Sequence, residues 1–572
     1  MRVSGHFTAL FSILGFSQYA KVQATTPGQA RTIAPAEVAP PEQTPAAAPR
    51  EPSSAPSLRM PVGAVPLSLG LPADRATRQM LYDELDFQRA CQVYLWALPI
   101  VSFAEWQHAA RAVFGAGDTD MVIYESIKDK LGILTANATT PYILGLPDLS
   151  NTGPLVVEYP AGATAGGIGD SWQRPITDLG ETGPDQGQGG KYLILGPGQK
   201  AVGASGYRVM KSPTNNVLVG FRVLDPDPET GRQLVARFRM YPYAARKNPA
   251  PTRLLRPEGR AWSQVPPRGF AFFERLDEIL QREPVMERDR MVMAMLKPLG
   301  IEKGMPFQPD GRQRQILEDG ARMGELMAQT KSFDKREKEA LYRPETHWRH
   351  VILLDPSQET ASYSQLDERA DYFYEAVTTT MGMVTTTPGV GQAYLGAYQD
   401  RAGAWFDGGK SYRLRVPTDP PAKLFWSLTI YDSLSRTLLD NGRGIADRSS
   451  RDDLVRNADR SVDIYMGPTA PAGFEKELDS DQPGQGLVRL FPALRTAAGL
   501  FRSIVEAPGH RADELTNRLG DVMQKSVGTE RSIEACSDDV EPPEDVIAGL
   551  VTAIPMQNAV PPRSRWPGQA RP

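Results

Sequence analysis

The fold class of this chain is decided by the runs Pro154-Leu-Val-Val-Glu-Tyr159, Lys191-Tyr-Leu-Ile-Leu195, Tyr207-Arg-Val-Met210 and Asn216-Val-Leu-Val-Gly-Phe221. Each run has the length of one strand, and clusters of Gly, Pro and Asn separate the runs. This pattern is typical of short antiparallel strands in a sandwich or barrel. The sequence therefore predicts a β-rich region from about Ile133 to Tyr243.

Helical periodicity precedes this region. Apolar residues recur at helical spacing from Met80 to Leu98, and Pro99 follows them. Proline removes a backbone donor and clashes with the preceding turn. We therefore expect a helix that enters the core at Trp96, is interrupted at Pro99 and resumes through Trp106.

A charged, helical stretch and a second strand-rich block follow. Residues 268–333 are rich in Met, Arg and Glu, and Leu317–Met327 fits an amphipathic surface helix. Residues 366–382 predict another helix. The strands of the second block are predicted at Tyr412–Val416, Phe425–Tyr431, Val462–Met466 and Gly486–Phe491.

Composition and charge restrict the class of protein. The chain has 572 residues, of which 41% are hydrophobic, so it is long enough for a globular protein of several domains. The 64 Lys and Arg residues face 68 Asp and Glu residues, which gives a net charge of −4. Without a basic excess to neutralise phosphates, a nucleic-acid partner is not expected.

The N-terminus has the pattern of a secretory signal peptide. Arg2 precedes an apolar stretch from Thr8 to Phe16, and Val22-Gln-Ala24 fits a cleavage site after Ala24. The stretch is too short to span a bilayer, and no other segment predicts a transmembrane helix. Residues 25–60 are rich in Pro and Ala and predict a disordered spacer. The prediction is a periplasmic or secreted protein.

The chain has two cysteines, Cys91 and Cys536. In an oxidising compartment they are able to pair and tether the C-terminal tail. A buried thiol and a free thiol in the tail are the alternative, and the sequence leaves both open.

No sequence pattern indicates a cofactor or a metal. Gly409-Lys-Ser411 lacks the first glycine of a phosphate-binding loop, since that position is Ala404. His347 and His350 have a spacing that suits a metal on a helix. Pro344 before them and the apolar run after them favour the start of a strand, on which the two rings would point to opposite faces.

An ordered series of motifs identifies a family resemblance. Tyr94–Pro99, Thr135–Tyr142, Gly153–Pro160, Gly169–Asp178, Gly183–Leu195 and Ser212–Asn216 occur in the order of the DUF1254 domain. Phe425–Asp432 and Asp459–Gly467 resemble the DUF1214 domain that commonly follows it. The resemblance implies an α+β, β-rich fold with two β-sandwich-like domains joined by helical segments, usually exported in bacteria. It implies no reaction.

The chain departs from the family pattern at two places. Many members carry Asn-Asn-Asp-Thr-x-Tyr where this chain reads Asn137-Ala-Thr-Thr-Pro-Tyr142, so Thr139 replaces the carboxylate. A mechanism that requires this carboxylate is therefore in doubt here. Near the end of the second domain, Lys476-Glu-Leu478 stands where Asn-Trp-Leu is expected.

These observations predict a domain plan. It consists of a signal peptide 1–24, a disordered linker 25–73, a DUF1254-like β-rich domain with N-terminal helices 74–260, a helical connecting region 261–385, a DUF1214-like β-sandwich 386–507 and a mobile polar tail 508–572.

The polar residues of the first domain are the candidate site. The predicted ligand-binding residues are Asn137, Thr140, Tyr142, Asp170, Trp172 and Arg174, and the catalytic candidates are Asp170, Asp178 and Tyr142. The two aspartates would act as an acid and a base if the fold brings them together across a cleft. The alternative is that Trp172 belongs to the core, Arg174 forms a salt bridge with an aspartate, and the glycines are only turns. Trp426 to Asp432 alternates like an ordinary sandwich strand, so a structural role is expected there.

Two functions from different classes remain. One is an exported protein that handles a small molecule or glycan in a cleft of the β-rich domains. The alternative is an exported hydrolase-type enzyme with an Asp/Tyr/Arg cluster at the domain junction. A deep pocket with a perturbed carboxylate favours the enzyme, and a shallow aromatic platform favours the binder. A homo-oligomer is left open.

Overall fold

The computed structural model of the protein describes residues 57–60, 63–344, 346–384, 393–418, 420, 425–440, 442, 444–467 and 478–479. The predicted signal peptide, the strand predicted at Gly486–Phe491, Cys536 and the predicted tail 508–572 lie outside the described residues.

The described residues up to Asp74 form a unit of their own. Its strands are β1 (Ser57–Met60), β2 (Gly63–Ser68) and β3 (Leu71–Pro72), and each pairs antiparallel with the next. These strands lie within the segment that the sequence predicts as a linker.

Helix α1 (Arg75–Phe114) is one continuous helix, so the predicted interruption at Pro99 is wrong. The stretch from Val93 to Ala104 is buried on every side. Packing of this buried and mostly apolar stretch outweighs the hydrogen bond that proline removes. The Pro99 carbonyl oxygen accepts a hydrogen bond from Gln173 Nε2 at 2.6 Å. Cys91 is buried in α1 and forms no disulfide with a described residue.

Ten strands and three short helices follow α1. They are β4 (Met121–Tyr124), α2 (Ile127–Lys130), β5 (Tyr142–Gly145), α3 (Leu149–Thr152), β6 (Leu155–Tyr159), β7 (Thr164–Asp170), β8 (Pro175–Gly180), β9 (Gly190–Leu195), β10 (Arg208–Lys211), β11 (Val217–Val223), α4 (Pro228–Ala236), β12 (Arg239–Pro242) and β13 (Leu254–Leu255).

These strands form two facing sheets. One has the order β10-β9-β6-β12 and the other β13-β4-β5-β11-β7-β8. Alternate residues of both sheets meet in one apolar core, which includes Leu155, Val157 and Tyr192 from the first sheet and Ile168 and Val219 from the second. The strands predicted from the runs near Leu155, Lys191 and Val217 are present.

The outer face of the six-stranded sheet is buried as well. Val122, Leu144 and Leu218 belong to a second core shared with α1 and the later helices. This sheet is therefore covered on both faces, as its nearly continuous apolar strand β11 requires.

The later helices are α5 (Phe270–Arg282), α6 (Arg290–Leu296), α7 (Gly311–Phe333), α8 (Leu366–Glu375) and α9 (Met381–Val384). Helix α7 is not only a surface helix, because it packs closely along α1. A Cβ atom on Gly320 would lie 2.5 Å from Ala90 Cβ, and one on Gly324 would lie 2.7 Å from Tyr94 Cβ. The helix predicted over 366–382 ends at Glu375, and α9 begins only at Met381.

A second strand-rich region completes the described chain. Its strands are β14 (Arg349–His350), β15 (Leu395–Gly396), β16 (Tyr412–Val416), β17 (Ser427–Thr429), β18 (Asp447–Ser449), β19 (Val462–Met466) and β20 (Leu478–Asp479). They surround an apolar core that includes Trp348, Leu414, Trp426 and Ile464. The predicted α+β, β-rich fold class is confirmed. Among the described residues, no helix has the length and apolar character needed to cross a bilayer.

Candidate functional site

A cavity of about 140 Å³ lies against the outer face of the six-stranded sheet. Along β11 and its neighbours, residues that face the cavity alternate with residues that face the apolar core between the sheets. Leu218, Gly220 and Arg222 therefore point toward the cavity. The residues that line it come from the sheet, from 133–137, from 376–383 and from the second strand-rich region. The cavity is thus bordered by four separate parts of the chain.

The cavity has room because several of the residues that line it are glycines, which have no side chain. Gly167 and Gly169 on β7 and Gly220 on β11 all line the cavity. A Cβ atom on Gly220 would lie 2.3 Å from Leu144 Cδ2, whereas one on Gly169 would meet only the Arg174 carbonyl oxygen, at 3.4 Å. The floor of the cavity is therefore bare backbone flanked by leucine side chains.

The segment 133–137 forms the wall that joins the two strand-rich regions. Asn137 Nδ2 donates to Ser427 Oγ at 3.1 Å, and the Tyr431 hydroxyl donates to the Ala136 carbonyl oxygen at 2.8 Å. The Thr135 amide donates to the Arg436 carbonyl oxygen at 2.8 Å. Residues of the second region thereby hold this wall in place.

The segment between α8 and α9 forms the opposite wall. The Thr378 amide donates to Gln173 Oε1 at 2.7 Å. At the start of α9, the amides of Met381 and Gly382 donate to the two oxygens of Asp178 at 2.8 and 2.9 Å. The break in the predicted helix 366–382 is what allows this segment to face the sheet.

Three of the predicted site residues line the cavity: Asn137, Tyr142 and Asp170. Thr140 lies behind Asn137, since its amide donates to Asn137 Oδ1 at 3.1 Å. The Tyr142 hydroxyl accepts a hydrogen bond from the Asn137 amide at 2.9 Å. The motif from Asn137 to Tyr142 therefore folds into one cavity-lining turn.

The other predicted residues are engaged away from the cavity. The Trp172 ring is buried 4.6 Å from the Trp96 ring, and Arg174 forms an ion pair with Glu359 at 2.7 Å. Asp178 accepts a third hydrogen bond, from the Thr182 hydroxyl at 2.8 Å. Trp172 thus belongs to the core, as the structural alternative has it, and Arg174 forms a salt bridge with a glutamate rather than with the aspartate of that alternative.

Asp170 and Asp178 do not face each other as an acid and a base. Asp178 pairs with Gly167 in the β7–β8 register, three positions from Asp170. This corresponds to about 10 Å along the strand. Both oxygens of Asp178 are already bound to the start of α9 and to Thr182. Asp170 is thus the carboxyl group that the cavity offers.

Burial controls the charge of Asp170, which is 1% exposed. Desolvation raises the pKa of its carboxyl group, and the hydrogen bond from the Arg174 amide at 2.9 Å opposes this in part. Arg222 is the other charged residue that lines the cavity. The sequence prediction missed Arg222, although its place in the alternation of β11 after Leu218 and Gly220 is a usable signal.

The position that departs from the family pattern has a clear local role. The Thr139 hydroxyl donates to Asp447 Oδ2 at 2.9 Å, and Asp447 is half-buried. A carboxylate at residue 139 would face Asp447 directly. Next to this contact, Lys130 Nζ donates to the Ala138 carbonyl oxygen at 2.8 Å, and burial lowers the pKa of Lys130 to about 8.

We expect Asp170→Asn to make the protein more stable at neutral pH. The folded-state pKa is raised above the usual 3.8, so rising pH ionises the unfolded chain first and stability is lost above about pH 3.8. Asparagine removes this loss and keeps an acceptor for the Arg174 amide. Urea unfolding from pH 4 to 8 should show a gap between variant and wild type that widens with pH. A gap that is constant with pH would contradict the assignment.

Among the described residues, no group of three or more His, Cys, Asp or Glu side chains is placed to hold a metal ion. The lining of the cavity consists mainly of apolar side chains, with hydroxyl groups and the charged residues Asp170 and Arg222.

Comparison with known proteins supports the resemblance seen in the motifs. Residues 122–242 match the family described as "Protein of unknown function (DUF1254)", and residues 391–480 match "Protein of unknown function (DUF1214)". The two matches occur in the predicted order, so the predicted resemblance to DUF1254 and DUF1214 is confirmed. No curated protein matches the chain.

Two solved structures are similar to the chain. The VPA0106 protein from Vibrio parahaemolyticus is 16% identical, with a TM-score of 0.45, over 72% of this chain and 95% of that one. An uncharacterized protein from Burkholderia cenocepacia is 12% identical, with a TM-score of 0.31, over 73% of this chain and 97% of that one.

Proposed function

We propose that this DUF1254–DUF1214 protein binds a small, largely apolar molecule in the cavity between its two strand-rich regions. The observation that carries the proposal is the bare glycine floor, enclosed by side chains from both regions. Pockets of this kind, mostly apolar with a few convergent polar groups, are typical of small-molecule sites. The regions are joined at the cavity wall itself, through the contacts of Asn137 and Tyr431.

The size of the cavity favours a compact ligand over a glycan. A cavity of about 150 Å³ lined by apolar side chains is known to hold a molecule of the size of benzene. The cavity here has about 140 Å³. Trp106, Leu144, Leu218, Phe221 and Tyr372 lie around it, which gives apolar and aromatic contact on several sides.

The direct test of the proposed binding site is to fill the cavity with a larger side chain at position 169. We expect phenol and benzyl alcohol to raise the melting temperature of the wild-type protein, because a ligand of the folded state stabilises it by mass action. Gly169→Val should remove this response, since the open space beyond its Cβ is the cavity. Gly169→Ala is the matched control and should retain most of it.

A second filling variant, Ala165→Leu, enters the cavity from the other end of β7. It should remove the response as well. The proposal is wrong if neither probe shifts the wild type, or if both filling variants respond as the wild type does.

A hydrolase-type enzyme is the second candidate, and Asp170 is the observation that favours it. A buried carboxyl group with a raised pKa beside a cavity is suited to act as a general acid. The test is hydrolysis of 4-nitrophenyl acetate by the wild type and by Asp170→Asn. Equal rates for both proteins would exclude this role of Asp170.

Export is part of the proposal. Its support is Arg2, the apolar stretch Thr8–Phe16 and the Val22-Gln-Ala24 pattern. The mass of the protein recovered from the periplasm or medium should correspond to a chain that begins at Thr25. A full-length mass in the cytoplasmic fraction would contradict export.

A further inference from the structure

Arg222 lies at one end of the cavity and is weakly engaged by the protein. It is opposite Ala165 on β7 and Tyr142 on β5. Its guanidinium carbon lies 5.8 Å from the centre of the Tyr142 ring, and its Nη1 lies 3.4 Å from Thr140 Oγ1, a long hydrogen bond. Most of the donor capacity of the guanidinium therefore remains available to a ligand.

No ion pair of Arg222 occurs within the described part of the chain. Other half-buried arginines do have carboxylate partners: Arg275 Nε lies 2.9 Å from Glu105, and Arg415 Nε lies 2.7 Å from Asp463. A guanidinium next to an apolar cavity without a counter-ion is costly unless an anion joins it.

The surroundings add to the positive charge at this end. Lys130 Nζ lies 5.9 Å from the same Tyr142 ring, on which Arg222 also packs. Asp447 reaches this area from the second region; its Oδ2 is bound to the Thr139 hydroxyl, and its carboxylate attracts Lys130 electrostatically without forming an ion pair with Lys130 or Arg222 among the described residues. The positive charge is thus not neutralised by direct contact.

The far end of the cavity does not repel an anion. Asp170 pairs with Val217 in the β7–β11 register, five positions from Arg222 along β11. This corresponds to about 17 Å of strand. Burial raises the pKa of Asp170, which favours its neutral form. Arg174 and Arg288 also act on Asp170 with their positive charges, so this end of the cavity presents no unbalanced negative charge to an anion.

We propose that the ligand of this cavity is a monocarboxylate with a compact apolar body, and that Arg222 binds its carboxylate. One guanidinium matches one carboxylate in charge and in its two-pronged hydrogen-bond geometry. The glycine floor with Leu144 and Leu218 takes the apolar body. This inference rests on the proposed function and specifies its ligand class.

A comparison of benzoate with benzamide separates the contribution of the carboxylate to binding from that of the ring, because the two molecules have nearly the same shape and differ in charge. We expect benzoate to bind the wild-type protein at least 10-fold more tightly than benzamide by calorimetry. Arg222→Gln should reduce benzoate affinity about 10- to 100-fold, in line with a lost charged hydrogen bond, and leave benzamide affinity unchanged. Unchanged benzamide affinity also shows that the variant is folded.

Arg208→Gln is the matched control. Arg208 also packs on a tyrosine ring, 5.6 Å from the centre of Tyr192, and does not line the cavity. This variant should bind benzoate as the wild type does. Arg222→Lys should retain part of the preference for benzoate over benzamide, since lysine keeps the positive charge but lacks the two-pronged hydrogen-bond geometry of arginine.

The outcomes distinguish the two proposals. Equal affinity for benzoate and benzamide in the wild type overturns the carboxylate assignment and leaves the apolar binding site standing. A benzoate preference that survives Arg222→Gln overturns the role of Arg222. If benzoate, benzamide and the neutral probes all fail to bind the wild type, the proposed function itself is wrong.

Discussion

Gly166→Ala should severely destabilise the protein, although it adds only one methyl group. A Cβ atom at this position would lie 2.2 Å from the Gly220 carbonyl oxygen and 2.5 Å from Phe221 Cα. Both atoms belong to the backbone of β11, so no side chain can rotate away. We expect a loss of about 3 kcal/mol or more, at the upper end of the cost of overpacking a core.

Gly169→Ala is the matched comparison on the same strand. Its Cβ would meet only the Arg174 carbonyl oxygen, at 3.4 Å, which is ordinary contact. Urea unfolding followed by circular dichroism should show a midpoint close to that of the wild type for Gly169→Ala and a much lower one for Gly166→Ala. Similar midpoints for the two variants would show that β7 and β11 do not approach each other as described.

Asn216→Ala should be the second most damaging change. The Asn216 side chain is fully buried; its Oδ1 accepts from Gln107 Nε2 at 2.8 Å, and its Nδ2 donates to Glu283 Oε1 at 2.9 Å. Alanine leaves Gln107 short of one acceptor and the buried Glu283 carboxylate short of one donor. Unsatisfied buried groups cost about 1–3 kcal/mol each, so we expect a loss of about 3 kcal/mol.

Asn151→Ala provides the control for this loss. Asn151 is exposed, and its Nδ2 donates to Asp118 at 3.2 Å. Removing this surface contact should change stability by less than about 0.5 kcal/mol. The role of Asn216 as the link between α1, β11 and the end of α5 would be wrong if both variants unfold at the same urea concentration.

The contacts of Asn216 also explain the role of a motif that the sequence showed without indicating what it does. Ser212-Pro-Thr-Asn-Asn216 is part of the DUF1254 resemblance, and its last two amides donate to Glu283 at 2.7 and 3.0 Å. Glu283 lies 67 residues away along the chain. The motif therefore has a structural role, since it binds the segment before β11 to Glu283 at the end of α5. No local sequence pattern reveals this role.

The strands were predictable because their signal is local. Runs such as Lys191–Leu195 and Val462–Met466 are mostly apolar, β-branched or aromatic over one strand length and are followed by turn residues. Both form strands, β9 and β19. The continuity of α1 through Pro99 was not predictable, since burial on all sides outweighs a local penalty.

The candidate site was predictable only in part. Asn137, Tyr142 and Asp170 line the cavity, and each stands in a motif of the family resemblance. Arg222 stands in an ordinary strand, and its significance comes from facing a cavity without a described counter-ion. In the sequence, Arg174 was as strong a candidate as these residues, but its side chain forms an ion pair with Glu359 away from the cavity.

The sequence by itself determined the α+β class, the order of its strand-rich and helical parts, and the DUF1254 and DUF1214 resemblance, because periodicity and motifs are properties of neighbouring residues. Only the tertiary structure decided where the cavity lies. Its floor, its two walls and its charged ends come from segments up to about 300 residues apart, such as Asn137 and Ser427, 290 positions distant. Which polar groups face that space depends on strand register and on packing between distant segments, and a single residue of register reverses the direction of every side chain.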